Sequence, residues 1–300
     1  MNTQFELRTT VSNELATLLG DYFIENELPD WGILRRGRHD PYELFGIFPD
    51  SDTADAALAN LRTDFPDLPE DFTFKTIEAN DWQNAYKAFL KPWQDRQLHW
   101  IPLGERDTCS VPEDAVSVYL DAGMVFGTGA HETTRLCARR LLDYYETHGE
   151  SLDKCRVIDA GCGSGILALS ASALGFKTVS GFDIDPEAIA VCKQNVAENP
   201  HIPPPKFSIS DLEEGLDGKQ ADLILANIQS HVLIRFSRPL IQSVARPGTL
   251  VLSGILTQEV EDVCTHFTAE ISKLHPETVF DIHSHKAGEW SDLQFTLPAK

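Results

Sequence analysis

The 300-residue chain reads as an α/β protein, a doubly wound parallel sheet preceded by a small α+β domain. Three observations predict this. From Val116 onward, short aliphatic runs alternate with helical patterns, the order of a parallel sheet with helices on both faces. One run, Val157-Ile158-Asp159, enters the glycine-rich turn Gly161-Cys162-Gly163-Ser164-Gly165, where the backbone can approach a ligand closely. The first eighty residues follow a different order, β-α-β-β-α-β, which suggests a ferredoxin-like unit.

In that N-terminal part, Phe5–Arg8 reads as a strand and Asn13–Asn26 as a helix with apolar residues at helical spacing. Strands near Gly32–Leu34 and over Tyr42–Phe48 follow, then a helix over Asp52–Phe65 and a strand over Phe72–Ile77. Residues 81–115 form an aromatic-rich connection. Trp82, Tyr86, Phe89 and Trp93 are spaced as one face of a helix, although Pro92 can end that helix before Trp93 joins it. The third region, 116–300, contributes strands at Arg156–Asp159, Thr178–Phe182, Phe207–Ile209, Asp222–Ala226 and Thr249–Leu252. A last pair, Val279–Ser284 and Asp292–Leu297, is joined through Gly288 as an edge hairpin.

Bulk composition narrows the function. With 42% apolar residues the chain can fill a core. No run approaches the roughly 18 apolar residues that span a bilayer, and the N-terminus lacks a basic start and an apolar stretch. The six cysteines form no CxxC pair, so neither a metal site nor a disulfide framework is expected. The chain reads as cytoplasmic. A net charge of −21, from 46 acidic and 25 basic residues, disfavours a direct nucleic-acid substrate and steers basic polypeptides or amines towards the surface.

The glycine turn has the spacing G-x-G-x-G, with Ile166 where a dinucleotide fingerprint places its third glycine. Asp183 ends the next strand, where a carboxylate accepts hydrogen bonds from both hydroxyls of a ribose. Helix capping there falls to Asp185, just before Pro186. Asp211, after the following strand, is either a neighbour of an adenine amino group or a plain loop acid.

Together, Phe126-Gly127-Thr128-Gly129-Ala130-His131-Glu132-Thr133-Thr134, the glycine turn, Asp183-Ile184-Asp185-Pro186, Ala226-Asn227-Ile228 and Leu252-Ser253-Gly254 resemble the PrmA family. These are methyltransferases of the eleventh protein of the large ribosomal subunit. The likeness covers about 115 to 290 and hardly reaches the first eighty residues. It implies a seven-stranded class I methyltransferase domain over 116–300, a substrate-recognition domain over 1–80, S-adenosylmethionine as cofactor, and a protein substrate modified at lysine or N-terminal amines. It also implies cofactor contacts from Thr134, Gly161, Asp183 and Asn227, with Gly163 in the same turn. Glu132 stands where the family commonly has proline, and Gln229-Ser230 where it has Leu-Ala.

Asn227, at the carboxyl end of a central strand, is the candidate to accept the hydrogens of a neutral amine, or else a structural cap. His131 is either a proton acceptor or a residue that orders its loop, and Thr134 either contacts cofactor or caps the helix starting near Arg135. Three rival readings are a nicotinamide-dependent oxidoreductase, disfavoured by Ile166, a non-catalytic adapter, disfavoured by the intact Gly161, Gly163, Gly165 and Asp183, and a related protein-lysine methyltransferase with a different protein target, which these residues do not distinguish.

Overall fold

The computed structural model describes residues 3–25, 28, 30–35, 40–78, 91–121, 129, 131–149 and 151–299. The chain divides into two units, Met1–Phe89 and Leu90–Lys300. The first holds β1 (Thr3–Val11), α1 (Asn13–Glu25), β2 (Trp31–Leu34), β3 (Tyr42–Phe48), α2 (Ser51–Asp64) and β4 (Thr73–Glu78). Its strands form an antiparallel sheet in the order β2-β3-β1-β4. Alternate residues Leu7 and Val11 of β1 join Leu44 and Phe48 of β3, and α1 and α2 add Leu19, Phe23, Leu58 and Leu61 to one buried cluster. Asp50 starts α2 by accepting the Thr53 amide at 2.8 Å. This is the β-α-β-β-α-β order read from the sequence.

The second unit opens differently from the expectation. The residues 82–89 expected to be helical lie outside the described ones, and Trp93, after Pro92, is on a strand. β5 (Trp93–Asp95), β6 (Leu98–Pro102) and β7 (Val116–Leu120) make a three-stranded sheet of their own. The rings of Trp93 and Trp100 lie 4.3 Å apart, and the Trp100 indole N–H donates to Ser170 Oγ at 2.8 Å. These aromatics fill a core.

After α3 (Glu132–His148) come β8 (Arg156–Ala160), α4 (Ile166–Ala173), β9 (Thr178–Asp183), α5 (Pro186–Glu198), β10 (Lys206–Ile209), α6 (Leu212–Leu216) and β11 (Ala221–Asn227). Then follow α7 (Ser230–Arg235), α8 (Ser237–Gln242), β12 (Val244–Leu256), α9 (Val260–Leu274), β13 (Asp281–His283), β14 (Lys286–Ala287) and β15 (Trp290–Leu297). The large sheet runs β10-β9-β8-β11-β12-β15-β13, parallel except at β13 to β15, with β14 also paired to β15. The class I methyltransferase fold expected above is present, with seven strands along this path. The expected edge hairpin turns through Gly288 between β14 and β15. The edge strand is shorter than the sequence suggests: Val279 is 84% exposed and outside it.

Both faces of the central strands are buried, which is why they read as continuous apolar runs. Val157, Leu223, Leu225 and Val251 face a cluster with α3 and α4. Ile158, Ala160, Ile224, Ala226, Leu250 and Leu252 face the other side, where α9 adds Val263, Phe267 and Ile271 at four-residue spacing. Arg140 of α3 is buried and forms a two-pronged ion pair with buried Asp292 of β15, at 2.8 and 2.7 Å. Asp292 also accepts the His285 amide. Among the described residues no helix is long and apolar enough to cross a membrane.

Candidate active site

Strand order reverses at β8: its successor β9 lies on one side, β11 on the other. In open α/β sheets the crevice beyond the carboxyl ends at such a point binds ligands. A cavity of about 470 Å³ lies there, lined by Gly161 and Gly163 after β8, Asp183 at the end of β9, Ser210 and Asp211 after β10, and Asn227 and Ile228 at the end of β11. Gly254 on β12, Val232 and Phe236 near α7, and Trp290 at the start of the antiparallel β15 complete the wall.

The glycine turn is shaped by its conformation. Gly161, Gly163 and Gly165 have φ of 71°, 52° and 79°, in the left-handed region that side chains disfavour. At Gly165 a Cβ would also stand 2.8 Å from the Phe207 ring and 2.9 Å from Cys192 Sγ. The Gly161 and Cys162 amides donate to the Phe182 carbonyl, which anchors the turn to β9.

Asp183 holds the turn from the other side. One carboxylate oxygen accepts the Gly163 amide at 2.8 Å, the other the Asp185 amide at 3.0 Å. Asp185 caps α5 through the Glu187 amide, and Pro186 occupies the first helical position, so capping does not consume Asp183. Asp211 lines the cavity and also caps α6, one oxygen accepting the Glu213 and Glu214 amides at 2.9 and 2.8 Å.

Asp159 sits behind the turn, 1% exposed. Its Oδ2 accepts the Ala168 amide at 3.0 Å, while buried Oδ1 has no partner among the described residues. Burial pushes its carboxyl from 3.8 up to about 7, Ala168 pulls the other way, and the Asp183 charge adds to the rise. The Cys162 thiol is also pushed up, first by its hydrogen bond with Cys192 (sulfurs 3.7 Å apart) and then by burial.

At the opposite end, the Asn227 amide donates to Thr134 Oγ1 at 3.3 Å. Its Oδ1 is buried without a partner among the described residues. Asn227 lines the cavity, and this unsatisfied oxygen becomes an acceptor for a ligand's donor once the side chain turns towards it. Thr134 itself is not on the wall; it is buried behind Asn227, and Thr133 takes the lining position. The helix begins at Glu132 rather than near Arg135. His131 caps it through the Thr133 amide, lines the cavity, and sets its ring edge-on to Trp290 with centroids 4.9 Å apart.

The structure therefore brings Gly161, Gly163, Asp183, Asp211, Asn227 and His131 to one cavity and places Thr134 one layer back. Sequence reasoning missed Trp290, Phe236 and Val232, which carry no local motif. Gly254 had a signal: its φ is 82°, and a Cβ there would lie 2.5 Å from the Ile228 carbonyl oxygen. Phe126, Gly127, Thr128 and Ala130 of the FGTG run lie outside the described residues. Gly129 is described: its carbonyl accepts Arg135 Nε at 3.0 Å, and a Cβ there would meet Trp100 and Ile166.

Comparison with known proteins bears directly on this cavity. The family model described as ribosomal protein L11 methyltransferase (PrmA) matches residues 20–296. The chain is 32% identical over 307 residues to the ribosomal protein L11 methyltransferase of Hydrogenovibrio crunogenus, covering 97% of each chain. It is 38% identical over 231 residues to that of Pseudomonas fluorescens, covering 76% of this chain and 74% of the relative. Among solved structures, a ribosomal protein L11 methylase from Lactobacillus delbrueckii subsp. bulgaricus superposes with a TM-score of 0.58 at 27% identity, over 68% of this chain and 96% of that one. The glycine cradle, the Asp183 carboxylate and the unpartnered Asn227 oxygen fit S-adenosylmethionine, the methyl donor of these enzymes. On these matches the chain belongs to the PrmA family of S-adenosylmethionine-dependent methyltransferases.

Proposed function

We propose that this protein methylates lysine side chains, and an N-terminal amine, of ribosomal protein L11, with the ferredoxin-like unit over about 1–80 selecting the target. The observation that carries this reading is Asn227, a cavity-lining residue whose buried Oδ1 has no partner among the described residues, in a chain related along 97% of its length to an L11 methyltransferase. A ribosomal target also implies a cytoplasmic protein. The charge of −21 favours the approach of a basic polypeptide.

When bound, S-adenosylmethionine supplies an electrophilic methyl group on a cationic sulfur. Asp183 and Asp211 hold the nucleoside end, and Gly161 and Gly163 let the backbone pass close to the ligand. Much of the rate then comes from alignment, which contributes roughly 7–11 kcal/mol in favourable cases. The remaining obstacle is the proton, since a free lysine has a pKa of about 10.4. The apolar wall of Ile228, Val232, Phe236 and Trp290 desolvates the acceptor and favours the neutral amine. Asn227 Oδ1 accepts one N–H bond and orients the lone pair. Thr134 fixes which end of the Asn227 amide faces the cavity. His131 lines the same wall, and with Nδ1 accepting the Thr133 amide its neutral ring carries the hydrogen on Nε2, so it orders this end of the site rather than taking the proton.

The test is transfer of radiolabelled methyl groups from S-adenosylmethionine to purified L11, with modified residues located by mass spectrometry. Label on lysine is expected, and Asn227→Ala should lower turnover more than cofactor affinity. Binding of S-adenosylmethionine without labelling of L11 would replace this target with another protein.

A further inference from the structure

Two consecutive carbonyls of the glycine turn are held by side chains of α5. Cys192 Sγ donates to the Gly163 carbonyl at 3.1 Å, and Asn195 Nδ2 donates to the Ser164 carbonyl at 2.9 Å. Three residues apart on a helix, Cys192 and Asn195 share one face. Both are buried, Asn195 to 1% exposure. Gly163 is thereby fixed at its amide by Asp183 and at its carbonyl by Cys192.

Asn195 does more than satisfy the turn. Its Oδ1 accepts the amide of Asp121, just beyond β7, at 3.0 Å. One turn later Asn199 donates to the Asn195 carbonyl at 2.7 Å and exchanges hydrogen bonds with the amide and carbonyl of Tyr119, at 2.8 and 2.7 Å. The Asn195 side chain thus links the cofactor turn to the end of β7. It needs a donor on one side and an acceptor on the other, which a neutral side-chain amide provides in one group.

We propose that Asn195 is a positioning residue for the methyl donor, holding the glycine turn in its binding conformation before the ligand arrives. A turn built on Gly161, Gly163 and Gly165 has wide backbone freedom, so its shape must be imposed from outside. Ordering a single residue at the moment of binding would weaken affinity by about 5- to 30-fold. With Ser164 and Asp121 both tied to α5, that loss is avoided. The inference rests on methyl-donor binding, so an acceptor other than L11 would leave it standing, with the transfer assay run on that acceptor instead.

The discriminating variant is Asn195→Asp. Ionised, the new carboxylate still accepts the Asp121 amide but sets its second oxygen against the Ser164 carbonyl. Protonated, its hydroxyl donates there again. Burial raises a carboxyl at this position above the usual value of about 3.9, which brings the recovery into an accessible range. The neighbouring titratable groups are Asp121 and Tyr119 by β7, Cys192 on α5, and Cys162, Asp159 and Asp183 at the turn. The parent protein carries all of them, so the ratio of variant to parent isolates residue 195.

Isothermal titration with S-adenosylmethionine from pH 8.5 to 5.5 reads the effect. N195D is expected to bind about tenfold or more weakly at pH 8.5, with the deficit shrinking as the solution is acidified. N195L, close in size and unable to hydrogen-bond, is expected to bind weakly at every pH. In the methyl-transfer assay both should raise KM for S-adenosylmethionine and leave KM for the acceptor unchanged, whereas general unfolding lowers kcat and moves neither KM. Parent-like affinity in both variants would overturn the proposal. So would an N195D deficit that acid does not relieve. If N195D does not fold, the KM split in N195L decides.

Discussion

Asp159 offers a quantitative prediction, because its environment sets the sign and size of a pH effect. The carboxyl is buried, one oxygen meets a single amide, the other meets nothing among the described residues, and burial takes it from 3.8 to about 7. A raised acid is protonated in the folded chain over a range where the unfolded chain has released its proton. Stability is therefore full below about pH 4 and falls as pH rises towards 7, the folded state binding the extra proton throughout that window. The gap is about three pH units, and at 1.36 kcal/mol each it corresponds to about 4 kcal/mol. Asp159→Asn keeps the acceptor for Ala168 and cannot ionise. Its NH2 takes the position that the protonated acid's O–H would occupy, so at pH 4.5 the variant should lead by only about 1 kcal/mol. By pH 8 the variant should be more stable by up to about 4 kcal/mol. Urea unfolding of the ligand-free proteins, followed by circular dichroism at half-unit pH steps, gives the two curves; titrating groups not coupled to Asp159 cancel in their difference. Parallel curves from pH 4.5 to 8 would refute the reasoning, because they would mean that Asp159 stays ionised in the folded chain.

Gly165→Ala should lose stability through positive-φ strain of about 1–2 kcal/mol and overpacking against Phe207 and Cys192 of about 1–3 kcal/mol. Titration should show S-adenosylmethionine affinity falling in parallel; a variant with normal affinity would mean that the turn tolerates a side chain. Asp292→Ala leaves the buried Arg140 without its counter-charge and should cost about 3–5 kcal/mol in urea unfolding. A loss below about 1 kcal/mol would show that the Arg140 charge finds water or another partner.

The middle of the sheet was readable because β8, β11 and β12 are covered on both faces, so each reads as a short apolar run with nothing to confuse it. The glycine turn, Asp183 and Asn227 were readable for a related reason: each follows directly from the end of one strand, and local chain order places them at one edge. The three-stranded β5-β6-β7 sheet was not readable. Its strands are short, Trp93 falls on the helical spacing of Trp82, Tyr86 and Phe89, and Trp100 finds its polar partner Ser170 seventy residues away. Trp290 was hidden for the same cause. Antiparallel pairing with Leu256 delivers it to the cavity, and no short window contains that information. Thr134 was placed one layer too far forward, since helical geometry turned Thr133 to the wall instead.

The Phe207 ring constrains how this site can drift between species. A Cβ at Gly181 would stand 2.9 Å from that ring, and one at Gly165 would stand 2.8 Å from it. Gly181 lies outside the left-handed region, while Gly165 has a φ of 79°. In a lineage where residue 207 shrinks, only the 3.0 Å approach to Cys162 Cβ still opposes alanine at 181, so a change there should accompany changes at 207 and a small shift at 162. Position 165 gains no such freedom, because its own backbone excludes a side chain even when the ring is gone. Two glycines that press on the same phenylalanine thus have different histories open to them: one co-varies with its neighbour, the other stands still.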